Sequence, residues 1–448
     1  MKTTSSASPL LTSQEEKISS TTFLAATGWT SCTAFNRVHA FALFAFAIFV
    51  TCSIAGAHLS LTLLTLCVAV EIVREKKAER EGGRVGNGWK LGIEWPIFAF
   101  AIIGFISTIL SEKPLDSFRN MRHLLTILGA YAVAHSLRRH PQWRWPLLWT
   151  FMLSATVFSL FGIGEFLFGV SSKVQSTQGT TMTWGAMCVM FLAVTMQVAW
   201  SAISRRDRWL ARAQVVPQIF AMLLSFVRGA YVGLAASLFY LMRSYWANRR
   251  LLLTRILPVL LVLILIAAAF SPEAVRQRVS AIFDLQTGST QVRLVQWRHA
   301  MTIAADNFFF GVGWRDLAPV LRQYAAPDPN MPESVTHDVF SIGHFHSNYV
   351  TLLVCFGATG LGAFLWLMVA VWRRLSAAAK FATNDGRVLV DATRAAMVGF
   401  LVAGFFDWTF GDAEVVTMFW FVIGMGLGQA NLEESSNAVA QKIVPDFQ

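Results

Sequence analysis

The stretch GHFHSNYVTLLVCFGATGLGAF, residues 343–364, decides how this chain is interpreted. From Tyr349 onward it is apolar and, with the residues that follow, long enough to cross a membrane. His346 precedes this run, and Ser347 and Asn348 between them are good helix N-cap residues. The pattern therefore predicts a membrane helix with a histidine at its mouth. An ionisable group in such a place indicates a functional site.

Apolar runs of spanning length recur through the chain, which is 55% hydrophobic and 14% charged. A backbone in lipid must satisfy its hydrogen bonds within its own segment, so we predict an all-α polytopic membrane protein. The net charge of +11 lies mostly in short loops between the runs, which favours membrane topology over nucleic-acid binding as its cause. Twelve transmembrane helices are expected, at residues 36–56, 57–73, 92–111, 120–137, 146–170, 181–203, 213–227, 229–243, 254–271, 347–371, 395–411 and 414–430.

The distribution of basic residues predicts how the chain is oriented. Cytoplasmic loops of membrane proteins are enriched in Lys and Arg. Here 22 of these residues fall in five loops, at 74–90, 138–144, 205–212, 243–255 and 373–394. Both ends of the segment 213–243 are then cytoplasmic, so this segment is expected to form a short hairpin with Arg228 at its tip.

The longest hydrophilic segment, 272–345, is then external and lies between the ninth and tenth helices. Helical periodicity at 273–285 and 290–307 predicts surface helices, and 327–334 has the composition of an extended linker. The predicted organisation is a cytoplasmic tail at 1–35, helices one to nine at 36–271, the external helical loop at 272–345, helices ten to twelve at 346–430 and a second cytoplasmic tail at 431–448.

Three side chains are expected to converge on the outer face. Arg228 lies in the middle of an apolar run beside Gly229, far from either basic loop, which favours a functional role over that of an interfacial arginine. Arg293 stands one turn before Trp297 and, taken alone, has the pattern of a solvated charge on an amphipathic helix. His346 is either an interfacial histidine or a general base, and a helix N-terminus disfavours its protonated form.

Together these residue types indicate a phosphorylated lipid substrate. A guanidinium binds pairs of phosphate oxygens and keeps its charge. Two arginines beside a neutral base suit attack by a hydroxyl with pyrophosphate as the leaving group, because the arginines can stabilise the charge that develops on it. His344 could share the role of base or orient His346.

Further polar residues near the outer helix ends are weaker candidates. Asp407 could bind a sugar hydroxyl or pair with an arginine, and Arg119 and Arg122 could extend a phosphate site. No His, Asp or Glu residues show metal-ligand spacing, and the glycines at 311–313 lack the lysine of a nucleotide-binding loop. The sequence therefore predicts neither a metal site nor a cofactor.

In this order the motifs resemble the O-antigen ligase and O-antigen polymerase superfamily. The matching elements are the Arg-Gly pair in VRGA (227–230), Arg293 with Trp297 and NFFFGVGW (307–314), and His346-Ser347 followed by Gly357, Gly360 and Phe364. The resemblance covers roughly residues 215–370. It departs from the family pattern at Phe308, where a proline is usual.

The resemblance implies a glycosyltransferase of the bacterial inner membrane, with its active site facing the periplasm and no requirement for a metal or nucleotide. Its donor would be O-antigen linked to undecaprenyl pyrophosphate. The acceptor is lipid A–core in ligases, another lipid-linked unit in polymerases, and protein Ser or Thr in oligosaccharyltransferase relatives. The chain length and single external segment resemble the ligases most. A lipid-linked sugar transporter is the alternative from another class, but its matched, broken helices are not evident here.

Overall fold

The computed structural model describes residues 34–80, 90–202, 204–243, 288–325, 332–382 and 384–443. These ranges form α-helices joined by turns and short 3₁₀ segments, and they contain no β-strand. The predicted ninth helix, the helix at 273–285 and most of the linker and tails lie outside them. The helices are α1 Ala34–Phe49, α2 Ile54–Arg80, α3 Glu94–Leu110, α4 Pro114–Met121, α5 Leu128–Arg139, α6 Arg144–Leu167, α7 Thr181–Ser201, α8 Arg205–Leu223, α9 Arg228–Met242, α10 Gly288–Asp306, α11 Ala318–Tyr324, α12 Glu333–Ser341, α13 Asn348–Phe381, α14 Asn384–Ala403 and α15 Ala413–Ile443.

Helix length and composition are those of a helical membrane protein. Within the described residues, four segments are long and apolar enough to cross a membrane: Ile54–Lys77, Pro141–Leu167, Thr181–Ser201 and Asn348–Phe381. Three shorter apolar helices accompany them, at Ala34–Phe49, Glu94–Leu110 and Ala413–Gln429. The membrane class is confirmed, while the number of twelve spans stays a prediction.

Several predicted boundaries differ from the observed ones. The stretch 120–137 is divided among the end of α4, a 3₁₀ segment at Arg122–Ile127 and α5. The start of this stretch contacts the loop after α10, since the Asn120 side chain donates to the Trp314 carbonyl at 2.9 Å. At the other end of the chain, α15 continues to Ile443, so part of the predicted tail is helical.

Small residues allow the buried helices to approach closely. A Cβ on Gly424 would lie 2.8 Å from the Ala130 carbonyl oxygen, so this glycine allows α15 to pack closely on α5. Gly233 has the same function between α9 and α14, where a Cβ would lie 2.8 Å from the Gly399 carbonyl oxygen. In this way α9, which begins with Arg228, is held directly against α14.

The loop that follows α10 packs against a break in α13. Gly357 interrupts the helix with φ 70° and ψ −175°. The carbonyls of Val354 and Cys355 are thereby available to accept the amides of Val312 and Gly313, at 3.0 and 2.9 Å. A side chain at Gly357 would overlap the backbone of the loop. The glycine motifs of the two segments therefore form one joint, which fixes α10 relative to α13.

Candidate active site

The tip of the α8–α9 hairpin presents Arg228 as the first residue of α9. The chain reverses just before it, where Phe226 adopts a left-handed conformation with φ 56°. Gly229 lets this helix end contact the turn that follows α14, because a Cβ there would lie 2.9 Å from the Phe406 Cβ. This contact brings the start of α9, where Arg228 lies, next to the turn that carries Asp407.

Arg293 on α10 faces the same place from another direction. Burial lowers the pKa of its guanidinium, the charge of Asp407 raises it, and the charge of Arg228 lowers it. The three charges therefore lie close enough to interact. Arg293 thus lies near both Arg228 and Asp407, which belong to segments distant in sequence.

The loop that carries His346 is held on both sides. From α10, the Trp297 indole donates a hydrogen bond to the Phe345 carbonyl at 2.7 Å. From the turn after α14, the Gly404 carbonyl accepts the Asn348 amide at 2.7 Å. Ser347 caps α13 by accepting from the Val350 amide, as the sequence predicted. Trp297 therefore positions this loop, which explains its place beside Arg293 in the motif.

His346 has the geometry of a strained, buried functional residue. Its φ of 47° lies in the left-handed region, which residues other than glycine uncommonly adopt. The residue is 8% exposed, and its Nδ1 has no hydrogen-bond partner. Oδ1 of Asp407 lies 3.7 Å from this nitrogen. That oxygen also accepts the Trp408 amide at 2.8 Å, which fixes the carboxylate.

His344 supports His346 instead of duplicating it. The two rings meet edge to face, with centroids 4.6 Å apart. His344 Nδ1 accepts the backbone amide of His346 at 3.2 Å. Burial, followed by the charge of His346, lowers the pKa of His344 to about 4. A neutral His344 at pH 7 keeps the lone pair that this hydrogen bond needs.

The predicted accessory residues separate into two groups. Asp407 lies within the cluster of Arg228, Arg293 and His346. Arg119 is 77% exposed and pairs with Asp116 on α4, at 3.7 Å. Arg122 interacts electrostatically with His123. The structure thus joins Asp407 to the site and gives Arg119 and Arg122 other neighbours.

Two further polar pairs beside the site were missed by the sequence analysis. Arg315, directly after the GVGW motif, has a side chain only 5% exposed and pairs with Glu112 at 2.9 Å. Its position next to the motif was the available signal. Thr183 on α7 donates to Asp412 at 2.5 Å. Burial and the neighbouring Glu414 raise the pKa of Asp412 to about 7 despite this hydrogen bond. No spacing rule connects residues this far apart in sequence.

The cluster combines anion-binding groups with an acid–base pair. Guanidinium groups bind phosphate oxygens, and the amides of a helix N-terminus such as that of α9 add to this attraction. An imidazole near a carboxylate can be oriented by it for proton transfer. The site contains no arrangement of metal ligands within the described residues. A group of this kind lies elsewhere, at His39, Glu71 and His140.

A comparison with protein families gives one match. The family model described as O-antigen ligase matches residues 213–365. This range contains Arg228, Arg293 and His346, whereas Asp407 lies beyond it, in the turn after α14. No curated protein matches the chain.

Proposed function

The chain carries the domain of the O-antigen ligase superfamily over residues 213–365, and we propose that it is the O-antigen ligase of a bacterial inner membrane. In this proposal it transfers glycan from undecaprenyl pyrophosphate to lipid A–core at the periplasmic face, with inversion at the anomeric carbon. The observation that carries the proposal is the meeting of Arg228, Arg293 and His346 around Asp407.

Arg228 and Arg293 are proposed to hold the pyrophosphate of the donor. They come from different helices, so together they can bind both phosphate groups of one ligand. Desolvated arginines of like charge repel each other, and this repulsion is relieved when an anion lies between them. The N-terminus of α9, at Arg228, adds backbone amides to the same place.

His346 is proposed to act as the general base. The acceptor hydroxyl loses its proton to the imidazole while its oxygen bonds to the anomeric carbon, and the bond from that carbon to the pyrophosphate breaks. The leaving group departs as undecaprenyl pyrophosphate, whose developing charge the arginines stabilise. General base catalysis of this kind contributes about 10²–10⁴-fold.

Asp407 is proposed as a positioning residue for His346. Its Oδ1 faces His346 Nδ1 at 3.7 Å, and catalytic hydrogen bonds are often long before substrate binds. A hydrogen bond from Nδ1–H to Asp407 would direct Nε2 to the acceptor hydroxyl. The interaction of Asp407 with Arg293 would weaken when the donor occupies the arginines, which would free the carboxylate for the histidine.

The lipopolysaccharide profile of a deletion strain tests the proposed function. Lipid A–core that has lost all O-antigen supports the ligase. A single O-unit retained on lipid A–core would instead indicate a polymerase, and intact lipopolysaccharide with an unglycosylated protein would indicate an oligosaccharyltransferase. The direct assay uses purified protein, lipid-linked donor and lipid A–core. Donor that crosses the bilayer without transfer would indicate the transporter.

A further inference from the structure

A second cluster of buried polar side chains lies at the other end of the helices from His346. His39 is in the first half of α1, Glu71 in the second half of α2, and His140 directly follows α5. The opposite end of α1, next to Thr51, contacts the segment before α7. There the Gln178 side chain donates to the Thr51 carbonyl. His39 and Thr51 are about 18 Å apart along the helix direction, at 1.5 Å per residue.

Three atoms of this cluster converge on one point. Glu71 Oε1 lies 3.1 Å from His39 Nδ1 and 3.7 Å from His140 Nε2. All three atoms are within 4.8 Å of one another. Ligands placed about 2.0–2.1 Å from a tetrahedral Zn²⁺ are about 3.3 Å apart. The observed separations from Glu71 bracket that value, so one small cation fits between the three atoms with little movement.

The hydrogen bonds around His39 imply that its lone pair faces this point. The single hydroxyl proton of Ser136 is donated to the Ala132 carbonyl at 2.7 Å. Ser136 must therefore accept from His39 Nε2, also at 2.7 Å. In a neutral imidazole the other nitrogen, Nδ1, then carries the lone pair. A ligating histidine typically has this arrangement, with one nitrogen donating to a second residue and the other facing the metal.

His140 also presents an unused nitrogen to the same point. Its Nε2 is buried and has no hydrogen-bond partner. The ring is held in place by stacking on Trp143, with centroids 3.9 Å apart and planes 23° apart. A proton on His39 Nδ1 would satisfy Glu71 but would leave His140 Nε2 unpaired. A single cation satisfies all three atoms.

The surrounding charges are compatible with a cation. His135 Nε2 lies 3.2 Å from the other Glu71 oxygen and can orient the carboxylate. Of the nearby positive charges, Arg138 and Arg139 both pair with Glu75, at 3.8 and 3.9 Å, and Arg74 lies over the Phe35 ring. Glu71 therefore keeps an oxygen for the central point.

We propose that His39 Nδ1, Glu71 Oε1 and His140 Nε2 bind one divalent transition-metal cation of the zinc class, with water as a fourth ligand. Two imidazoles and a carboxylate are a donor set that suits Zn²⁺. The cation would link α1, α2 and the connection between α5 and α6, far from the site of His346. It would thus stabilise this end of the helix bundle without entering the transfer reaction.

The test measures metal binding by the full chain, purified in detergent without a histidine tag and stripped with a chelator. Titration with Zn²⁺ is expected to give one bound ion per chain, and Co²⁺ in its place should produce the visible absorption of a tetrahedral site. Glu71→Gln and His140→Ala should each abolish both signals. Ser136→Ala should weaken binding about 10–100-fold, the effect typical of a residue that orients a ligand.

Two control variants separate this site from adventitious binding. His337→Ala changes an exposed histidine, and His346→Ala changes the other buried histidine site. Both are expected to retain one ion per chain. The proposal is overturned if the stripped protein binds no ion, or if Glu71→Gln and His140→Ala bind as the unmodified protein does. Size-exclusion profiles show that each variant is folded, and because the readout is metal content, failure here leaves the transferase proposal intact.

Discussion

At the scale of single residues, the ionisable side chains of the site are held in place by their neighbours. His346 has a strained backbone and an unpaired Nδ1 near Asp407, while His344 gives its own Nδ1 to the backbone of His346. Histidines only two positions apart in the sequence therefore have different environments. We therefore propose His346 as the reacting group and His344 as its support.

Replacing His346 with Ala should slow transfer at least about a hundredfold, since a general base contributes that much. The substitution His344→Asn should have a milder effect, because the side-chain oxygen of the asparagine can accept the His346 amide in place of Nδ1. Initial rates with purified protein, lipid-linked donor and lipid A–core check both. A rate that survives in His346→Ala and collapses in His344→Asn would move the role of base by two residues.

Donor turnover is expected to depend on the planar shape of the two guanidinium groups as well as on their charge. Arg228→Ala and Arg293→Ala should each reduce donor turnover severely, whereas Lys at either position should restore it only in part, because the planar fork is lost. Exposed Arg119, which pairs with Asp116, provides a matched control, and Arg119→Ala should stay near the unmodified rate. Full activity in either of the first two Ala variants would remove that arginine from the site.

Stability should depend on pH through His344. Its pKa in the folded protein is about 4, below the ordinary value of 6.5, so the unfolded chain binds the proton more tightly. Stability is therefore present above about pH 6.5 and is lost as the pH falls toward 4. Melting temperatures measured across this range should fall less in His344→Asn, which has no titrating group. Equal losses in the two proteins would contradict this assignment.

At the scale of secondary-structure elements, the glycine motif of α13 has a structural role. Gly357 opens the helix so that its carbonyls accept the amides of the 311–313 loop. This joint sets the direction of α10, which carries both Arg293 and the tryptophan that holds the loop of His346. The glycine motif of α13 thus acts by positioning another element.

The substitution Gly357→Ala should destabilise the protein. The conformation at this position costs other residues of the order of 1–3 kcal/mol, and the new Cβ would overlap the Phe309 backbone. Gly362→Ala on the same helix is the control, since its Cβ would meet nothing within 4 Å. It should be neutral or stabilising by about 0.5–1 kcal/mol. Thermal unfolding in detergent measures the difference, and similar melting temperatures for the two variants would contradict the role given to Gly357.

At the scale of the whole molecule, the helices connect two ends of different chemistry. The end near His346 carries the proposed transfer site, and the end near Glu71 carries the proposed cation site. A basic side chain at the end near Glu71 is held by a backbone carbonyl, since Arg374 donates to the Leu91 carbonyl at 3.0 Å. The orientation predicted from the basic loops would place the Glu71 end in the cytoplasm and the His346 end outside.

Cysteine labelling tests that orientation. His337 is 76% exposed in the segment predicted to be external, and Lys380 is exposed at the far end of α13. A cysteine at position 337 should react with a membrane-impermeant reagent in cells whose outer membrane alone is permeabilised. A cysteine at position 380 should react only after the inner membrane is opened. The unmodified protein measures the background from native cysteines, and the reverse pattern would overturn the topology.

The sequence by itself determined the membrane class, most helix positions and the three motifs of the matched region. Apolar runs, caps and glycines are local signals, because each depends on residues within a few turns of one another. Phe308 in place of the usual proline still lies in the loop that contacts α13, where its carbonyl accepts the Ala358 amide. The backbone hydrogen bond there does not require the proline ring.

Only the tertiary structure decided which of the candidate residues meet. Asp407 joins the arginines because Gly229 lets α9 approach the turn after α14, and Arg119 does not because α4 turns its side chain outward. The group of His39, Glu71 and His140 was excluded by spacing rules and appeared only when three helices came together. Electrostatic and metal-ligand contacts depend on distances between atoms, and in a helix bundle those distances are set by packing between segments that are remote in sequence.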